Sequence, residues 1–165
     1  MNQPRLLVVY ALSGVAFAVG LFVALNRQSP AQPVATRAAS DVEYLTPFGP
    51  PTRPFSPAVR VGDLIYLSGQ IGTDASANGA LVAGGIEAET RQTLENVKRV
   101  VEAVGSSMDK VVKCTVMMAD MAEWDRMNVV YREFFPAGRL PARSAFGASG
   151  LALGARVEIE CIAAR

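Results

Sequence analysis

The sequence predicts an α+β fold, a β-sheet that carries two helices on one face, and three observations support this prediction. Apolar and polar residues alternate in runs at both ends of residues 46–165, which is typical of half-buried strands. Two segments between these runs repeat apolar residues at intervals of three and four, which predicts amphipathic helices. A run rich in β-branched residues separates the two helices. The resulting order, ββαβαββ, favours a sheet with helices on one side.

The first two strands are predicted within Ala58–Gly72, around a turn at Gly62 and Asp63. Glycine beside aspartate is typical of a tight hairpin. The following segment, TDASANGALVAGG, consists of small and turn-forming residues and predicts a loop. A helix is then predicted over Ile86–Val104, ended by Gly105. Its apolar stripe comprises Leu94, Val97, Val101 and Val104.

The rest of the domain adds a strand, a helix and two last strands. A buried strand is predicted over Lys110–Asp120. Asp120 and Glu123 resemble a capping box at the start of the second helix. Two last strands are predicted near Ser144–Gly147 and Ala155–Ala163, after two prolines that end the helix. The inward stripe of the second helix comprises Trp124, Met127, Tyr131 and Phe134.

The first 45 residues differ in character from the rest. Leu6–Leu25 is a run of twenty residues without a charge, and a helix of that length spans about 30 Å, the thickness of a bilayer's hydrocarbon core. We expect a signal anchor, a transmembrane helix, over residues 1–27 and a flexible linker over residues 28–45, which are rich in Gln, Pro, Ala and Ser. Secretion after cleavage of this segment is the alternative. Because a short N-terminal tail usually stays inside, we expect the domain on the outer, periplasmic side.

The composition narrows the chemistry that the chain can perform. Histidine is absent, so acid–base steps must depend on carboxylates, Tyr, Lys or Cys. The two cysteines, Cys114 and Cys161, lack the spacing of a metal site, and each lies in an apolar run. We expect two buried core residues, or a disulfide if the domain is extracytoplasmic. The net charge of +1 provides no basic field for nucleic acid.

Several ordered blocks of the sequence resemble one known family. The blocks YLSGQIG, TRQTLENVKRVVEAVG, VVKCTVMMADMAEWDRMNVVYREFF and PARSAFG…VEIECIA look like the signature stretches of the reactive intermediate deaminase family, also called RidA or YjgF. The resemblance covers residues 46–165. It implies a chorismate-mutase-like fold and a homotrimer whose active sites lie in clefts between subunits. It also implies hydrolysis of 2-imino or enamine acids, such as 2-aminoacrylate, to 2-keto acids and ammonia, without a cofactor.

Two charged residues carry the activity that the resemblance implies. Arg143, in the PARS block, matches the family's arginine that binds the substrate carboxylate, and a planar guanidinium can meet a carboxylate with two hydrogen bonds. Glu158 matches the glutamate that positions and activates water. Glu158 and Glu160 share one face of the last strand, opposite to Val157 and Ile159. We expect Arg143 to hold the acid end of the substrate while Glu158 presents water to its C=N carbon.

The resemblance assigns further residues to the substrate pocket, and two of them depart from the family pattern. Ser68 and Asn128 match a serine and an asparagine near the site. Phe55 replaces a tyrosine, which removes a hydroxyl but keeps a ring that can pack against a small substrate. Ala145 replaces a cysteine that many members have, so only a main-chain contact is expected there. Gly69 is expected to serve backbone geometry rather than chemistry.

Two other functions are compatible with the sequence. The departures at Phe55 and Ala145, together with the membrane segment, also suit a non-catalytic module that binds or senses keto or imino acids on the same trimeric scaffold. A nuclease-like or chaperone-like role is disfavoured, because the chain is nearly neutral and its sequence shows no aromatic and basic platform for nucleic acid.

Overall fold

The computed structural model, which describes residues 41–165, follows the predicted order of strands and helices and adds four short strands. The strands are β1 (Val42–Leu45), β2 (Ala58–Val61), β3 (Leu64–Leu67), β4 (Gln70–Ile71), β5 (Thr73–Asp74), β6 (Ala80–Leu81), β7 (Val111–Met118), β8 (Ala142–Gly147) and β9 (Val157–Ala164). The helices are α1 (Gly85–Ala103) and α2 (Trp124–Arg132). The predicted α+β fold, a sheet with two helices, is confirmed.

Seven strands form one sheet in the order β1-β2-β3-β9-β7-β8, with β4 also paired to β9. The pairs are antiparallel except for β7 and β8, which run parallel. Parallel neighbours need a crossover, and α2 lies between these two strands in the chain. β2 and β3 form the predicted hairpin, and Gly62 in its turn has a φ of 60°, which glycine adopts at little cost. β5 and β6 pair separately, within the segment that was predicted as a loop.

The side of the sheet that faces the helices, here called the helix side, holds the core. Alternate residues of β7 and β9 are buried there, as the two-residue period of a strand requires. The predicted apolar stripe of α1 packs into the same cluster, and Leu94, Val97 and Val101 are fully buried. The sheet positions of this core are Val111, Cys114, Val116, Met118, Val157, Ile159, Cys161 and Ala163.

The second helix is shorter than its sequence pattern. Asp120 caps a single turn of 3-10 helix, and α2 begins only after that turn. Met127 and Tyr131 are buried as predicted, but Phe135 is buried more fully than Phe134. Because α2 ends before the two phenylalanines, the helical period no longer decides which of them points inward.

The opposite side of the sheet, here called the open face, carries no packed helix among the described residues. Its side chains come from the remaining alternate positions of the same strands. Leu64, Tyr66 and Phe146 are 38%, 43% and 49% exposed on this face. Glu158 and Glu160 belong to it as well.

The predicted linker ends earlier than its composition indicates. Its last four residues form β1, which pairs with β2 and makes one edge of the sheet. Composition reports local flexibility, whereas this pairing depends on a partner strand that lies further along the chain. The predicted transmembrane helix at residues 1–27 and the linker up to residue 40 lie outside the described residues. None of the helices within residues 41–165 combines the length and the apolar character needed to cross a bilayer.

The two cysteines are buried, as predicted, and are joined by a disulfide bond. Cys114 on β7 and Cys161 on β9 are register partners in neighbouring antiparallel strands, with Cα atoms 4.1 Å apart. The expectation of two unpaired core cysteines is therefore wrong, and the alternative, a disulfide, holds. A separation of 47 residues hides this pairing in the sequence, because it depends on how two distant strands align.

Candidate functional site

Arg143 lies on β8, at the edge of the sheet, and faces the helices. Its register partner on β7 is Cys114, which is buried in the core, so both side chains leave the sheet on the helix side. The guanidinium carbon of Arg143 lies 4.9 Å from the ring centroid of Trp124 and 4.6 Å from that of Tyr131. Both rings belong to α2. The arginine is therefore held against the crossover helix.

The guanidinium of Arg143 has no acidic partner in the described part of the chain. No carboxylate there lies within ion-pair distance of it, and no oxygen there accepts a hydrogen bond from it. Contacts with aromatic rings supply no oxygen acceptor, so the N–H groups of the guanidinium stay available. A planar fork of such donors binds a carboxylate or a phosphate with two parallel hydrogen bonds. Arg143 is thus the basic half of a candidate site.

Asn128 and Ala145 lie on the same side of the sheet as Arg143. Asn128 is on α2, four residues after Trp124 and three before Tyr131, and this spacing places all three on one face of the helix. Ala145 follows Arg143 by two residues on β8 and packs, partly buried, against the core. The structure therefore brings three of the predicted site residues to the helix side.

Glu158 lies on the open face, on the other side of the sheet from Arg143. It alternates along β9 with Val157 and Ile159, which are buried on the helix side. Its register partner on β7 is Met117. Within one chain, the sheet separates the carboxylate of Glu158 from the guanidinium of Arg143. The expected convergence of these two charges on one small acid does not occur inside a single subunit.

The surroundings of Glu158 favour its protonated form. Burial removes water from the carboxylate and raises the pKa of Glu158 above its ordinary value, and the nearby charge of Glu160 raises it further. A raised pKa makes a carboxylate a stronger proton acceptor than an ordinary glutamate. Across residues 41–165, no three acidic or cysteine side chains are grouped closely enough to hold a metal ion.

A β-bulge interrupts the strand next to Glu158. β3 and β4 both pair with β9, but Tyr66 pairs with Ile162 whereas Gln70 pairs with Ile159. Three residues between Tyr66 and Gln70 therefore lie opposite two residues of β9, which is the arrangement of a bulge. Bulges of this kind re-aim side chains and are frequent beside active sites.

The bulge contains Ser68 and Gly69, and Gly69 makes room for Glu158. A Cβ atom at Gly69 would overlap with the carboxylate oxygen Oε1 of Glu158. Gly69 is thus required by close approach, and not by a positive φ. The hydroxyl of Ser68 donates a hydrogen bond of 2.7 Å to the backbone carbonyl of Ser56, which ties the bulge to the loop before β2. Ser68 and Gly69 accompany Glu158 as the acidic half of the candidate site.

Phe55 lies in the loop before β2, next to Ser56, whose carbonyl accepts the hydrogen bond of Ser68. Its ring is 47% exposed and lines a cleft of about 320 Å³ that also contains Arg53 and Arg99. This cleft lies between the loop before β2 and helix α1, and neither Arg143 nor Glu158 lines it. That the ring of Phe55 packs against a small substrate remains a prediction.

The sequence assigned the two rings beside Arg143 only to the core. Trp124 and Tyr131 were part of the predicted inward stripe, and Asn128 between them was the available signal that this stripe reaches a site. The hydroxyl of Tyr131 is buried without a hydrogen-bond partner among the described residues. Burial raises the pKa of Tyr131 to about 12, although the positive charge of Arg143 opposes this shift. Tyr131 therefore offers Arg143 a ring and not an acidic proton.

The chain is similar to a known family and to named relatives. Residues 48–165 match the model of the family described as Endoribonuclease L-PSP. The 2-iminobutanoate/2-iminopropanoate deaminase of Mus musculus is 46% identical to this chain over 110 residues, which are 67% of this chain and 80% of that protein. The deaminase of the same name from Homo sapiens is 42% identical over 110 residues, which are 67% of this chain and 79% of that protein.

A solved structure shares the fold. The crystal structure of a protein of unknown function of the conserved Rid protein family, YyfA from Yersinia pestis, matches with a TM-score of 0.69 and 35% sequence identity. The match covers 76% of this chain and 100% of that chain. The family that the sequence blocks indicated is therefore confirmed. The family match, the two relatives and the shared fold show that this chain belongs to the family described as Endoribonuclease L-PSP.

Proposed function

We propose that this chain hydrolyses 2-imino and enamine acids, such as 2-aminoacrylate, to 2-keto acids and ammonia, without a cofactor. The similarity to two proteins named 2-iminobutanoate/2-iminopropanoate deaminase supports this reaction class. One observation in the structure carries the proposal. Arg143 offers a guanidinium without an acidic partner, which is the group that the carboxylate of such a substrate requires.

The active site in this proposal is formed by two subunits. Arg143 belongs to the helix side and Glu158 to the open face, so the basic half of one chain can meet only the acidic half of another. An interface between two different patches repeats around a rotation axis and closes into a ring when the rotation permits. A homotrimer is such a ring. The exposed apolar side chains of the open face support the assembly, because an adjacent subunit would bury them.

The proposed reaction uses each half for one task. Arg143 binds the substrate carboxylate with two hydrogen bonds and so orients the C=N carbon. The adjacent subunit's Glu158 accepts a proton from a water molecule, whose oxygen forms a bond to that carbon while the C=N π electrons move to nitrogen. The same carboxyl group then gives that proton to nitrogen, which leaves a carbinolamine with one C–OH and one C–NH2 group. The carboxylate next takes the hydroxyl proton and passes it to nitrogen, so that the C=O bond forms while the C–N bond breaks and ammonia leaves. An enamine first tautomerises to the imine, gaining a proton at its terminal carbon and losing one from nitrogen.

The proposed activity is tested with the purified full chain and an imine generated in situ from 2-aminoacrylate. We expect the 2-keto acid to appear faster than in buffer. We also expect Arg143→Gln and Glu158→Gln each to lower kcat/KM by about 10²-fold. A folded, assembled chain that gives no acceleration over buffer would refute the proposal.

Mixing the two inactive variants tests the shared site. If each site takes Arg143 from one subunit and Glu158 from the next, a random mixture of Arg143→Gln and Glu158→Gln chains has both residues intact in about a quarter of the sites. We therefore expect activity to return when the variants are unfolded together and refolded. The matched control is each variant refolded alone, which has no intact site. Persistent inactivity in mixed trimers would place both residues in one subunit's site.

A non-catalytic binding module is the alternative function, and the same variants separate it from hydrolysis. An arginine without an acidic partner can bind a 2-keto acid even if Glu158 does not activate a water molecule. Binding of 2-oxobutanoate without any turnover of imines, abolished by Arg143→Gln, would favour the module. Loss of a measured hydrolysis in Glu158→Gln, with binding retained, would favour the enzyme.

We also propose that the domain is tethered to a membrane by residues 1–27 and lies on the outer side. The disulfide between Cys114 and Cys161 supports that side, because such bonds persist in oxidising compartments. A reporter fused to the C-terminus, active only outside the cytoplasm, tests the orientation. Recovery of the mature chain without its first residues would favour secretion after cleavage.

A further inference from the structure

Two aromatic residues of α2, Trp124 and Tyr131, contact the guanidinium of Arg143 and are here called the aromatic clamp. We infer that the clamp positions Arg143 for the substrate carboxylate, so that Trp124 and Tyr131 are positioning residues for the reaction. This inference rests on the proposed function, because it concerns the same arginine. It adds to that function two residues that do not themselves bind the carboxylate.

The geometry of the clamp restrains the guanidinium at two points. The guanidinium carbon lies 4.9 Å from the Trp124 centroid and 4.6 Å from the Tyr131 centroid. Residues seven apart in an α-helix are separated by about 10 Å along the helix axis, so the two rings rise from one helix face about two turns apart. The guanidinium therefore bridges two rings and does not rest on one alone. Two contacts restrict its tilt as well as its position.

No other group in the described residues holds the charged end of Arg143. β8 is an edge strand, and no carboxylate or oxygen acceptor from residues 41–165 binds the guanidinium. A free arginine side chain adopts many rotamers, and binding a ligand would have to order them. A planar guanidinium that stacks on rings is already ordered and keeps its N–H donors for the ligand. The clamp thus orders the arginine before the substrate arrives.

The clamp is itself well supported. The ring of Tyr131 is buried and packs on Phe135, with centroids 4.8 Å apart and planes tilted by 44°. Trp124 is partly buried against the core. Because the Tyr131 hydroxyl is buried without a partner among the described residues, the ring alone serves Arg143. The two rings are fixed by the core, and through them α2 sets the position of a residue on β8.

Steady-state kinetics of the full chain test the clamp. Trp124→Leu removes one ring, and we expect KM for the imine to rise about tenfold with little change in kcat, as loss of one cation–π contact predicts. Trp124→Phe keeps a ring and should restore KM to within about threefold of the original value. Tyr131→Leu removes the other ring and should raise KM by a similar factor. An unchanged KM in Trp124→Leu or in a folded Tyr131→Leu would overturn the inference.

Phe134→Leu is the matched control for lost packing. Phe134 is a partly buried aromatic residue just after α2, and it is not one of the two rings over which the guanidinium lies. We expect this variant to lower Tm without a change in KM. If Phe134→Leu raised KM as much as Trp124→Leu, general packing would explain the effect and the clamp would be discarded.

Fluorescence gives a second measurement that needs no change to the clamp. Trp124 is the only tryptophan of the sequence, so its emission reports on its contact with Arg143. We expect 2-oxobutanoate to change this emission in a saturable way, and Arg143→Gln to abolish the change. This readout decides the matter if Trp124→Leu does not fold. An emission that does not respond, in a chain shown by calorimetry to bind the probe, would overturn the inference.

The two measurements separate failure of the clamp from failure of the proposed function. A chain that hydrolyses imines but keeps its KM in Trp124→Leu has the function without the clamp. A chain that does not hydrolyse imines, yet shows the Arg143-dependent change in emission with 2-oxobutanoate, has the clamp without the function.

Discussion

The two faces of the sheet are built from the same strands but differ in how far their side chains are buried. On the helix side, Val116, Val157 and Ile159 are fully buried in the core cluster. On the open face, one residue away along each strand, Tyr66 and Phe146 are close to half exposed. The helix side is covered by the helices of the same chain, whereas the open face has no packed helix among the described residues, and our proposal covers it with an adjacent subunit. The division also separates Arg143 from Glu158, which is why the proposed site needs two subunits.

The largest expected difference between the faces concerns stability. Ile159→Ala empties a fully buried position on the helix side and should lower the free energy of unfolding by about 2–5 kcal/mol. Ile162→Ala, at a partly exposed position of the open face, should lower it by about 1 kcal/mol or less in the isolated chain. Urea unfolding of both variants measures this difference, and sedimentation should show that only Ile162→Ala weakens assembly. Equal losses of stability would contradict the distinction between the faces.

The second prediction concerns the disulfide bond that lies in the core on the helix side of the sheet. Reduction of the Cys114–Cys161 disulfide should lower the free energy of unfolding by about 2–4 kcal/mol, since the bond closes a long loop in the unfolded chain. Thermal unfolding with and without dithiothreitol measures this loss. The matched control, with both cysteines replaced by alanine, should unfold at one temperature in either condition. A wild-type chain insensitive to reductant would show that the bond does not stabilise the core.

The third prediction concerns the open face. Gly69→Ala adds a Cβ atom that overlaps with Glu158 Oε1, so the carboxylate must move. We expect kcat for imine hydrolysis to fall by about 10- to 100-fold, because small misplacements of a catalytic group are costly. Gly150→Ala is the matched control, since a Cβ atom there meets no atom within 4 Å. Equal activity of the two variants would show that the activity does not require the space that Gly69 leaves for Glu158.

The smallest expected effect is a pH dependence of stability. The raised pKa of Glu158 means that the folded chain binds this proton more tightly than the unfolded chain. Wild-type stability therefore falls as pH rises from the ordinary value of 4.5 through the raised value. Glu158→Gln lacks this loss, so its Tm should exceed that of the wild type at pH 7. Thermal unfolding of both chains at pH 7 and below pH 4.5 measures this effect, and the difference in Tm should disappear below pH 4.5. A difference in Tm that grows as the pH falls would contradict the raised pKa.

Local periodicity accounts for what could be predicted. The β2–β3 hairpin follows from its turn residues, and the buried stripe of α1 follows from spacings of three and four. The open-face position of Glu158 follows from its alternation with Val157 and Ile159. In each case the deciding residues lie within a few positions of one another.

Non-local pairing accounts for what could not be predicted. The strand sequence of β8, ARSAFG, has no apolar alternation that selects a face, so the side taken by Arg143 was open. The disulfide and the bulge at Ser68 and Gly69 depend on how distant strands align with β9. The strand at the end of the predicted linker needed β2 as a partner.

The sequence by itself determined the order of the two helices and the five main strands, and it determined the family, because these depend on local periods and short blocks. It also predicted which residues carry the chemistry of the site. Only the tertiary structure decided that Arg143 stacks on Trp124 and Tyr131 while Glu158 faces away on the other side of the sheet. The physical reason is register. A shift of one residue between paired strands moves a side chain to the opposite face, and register depends on contacts between segments far apart in the chain.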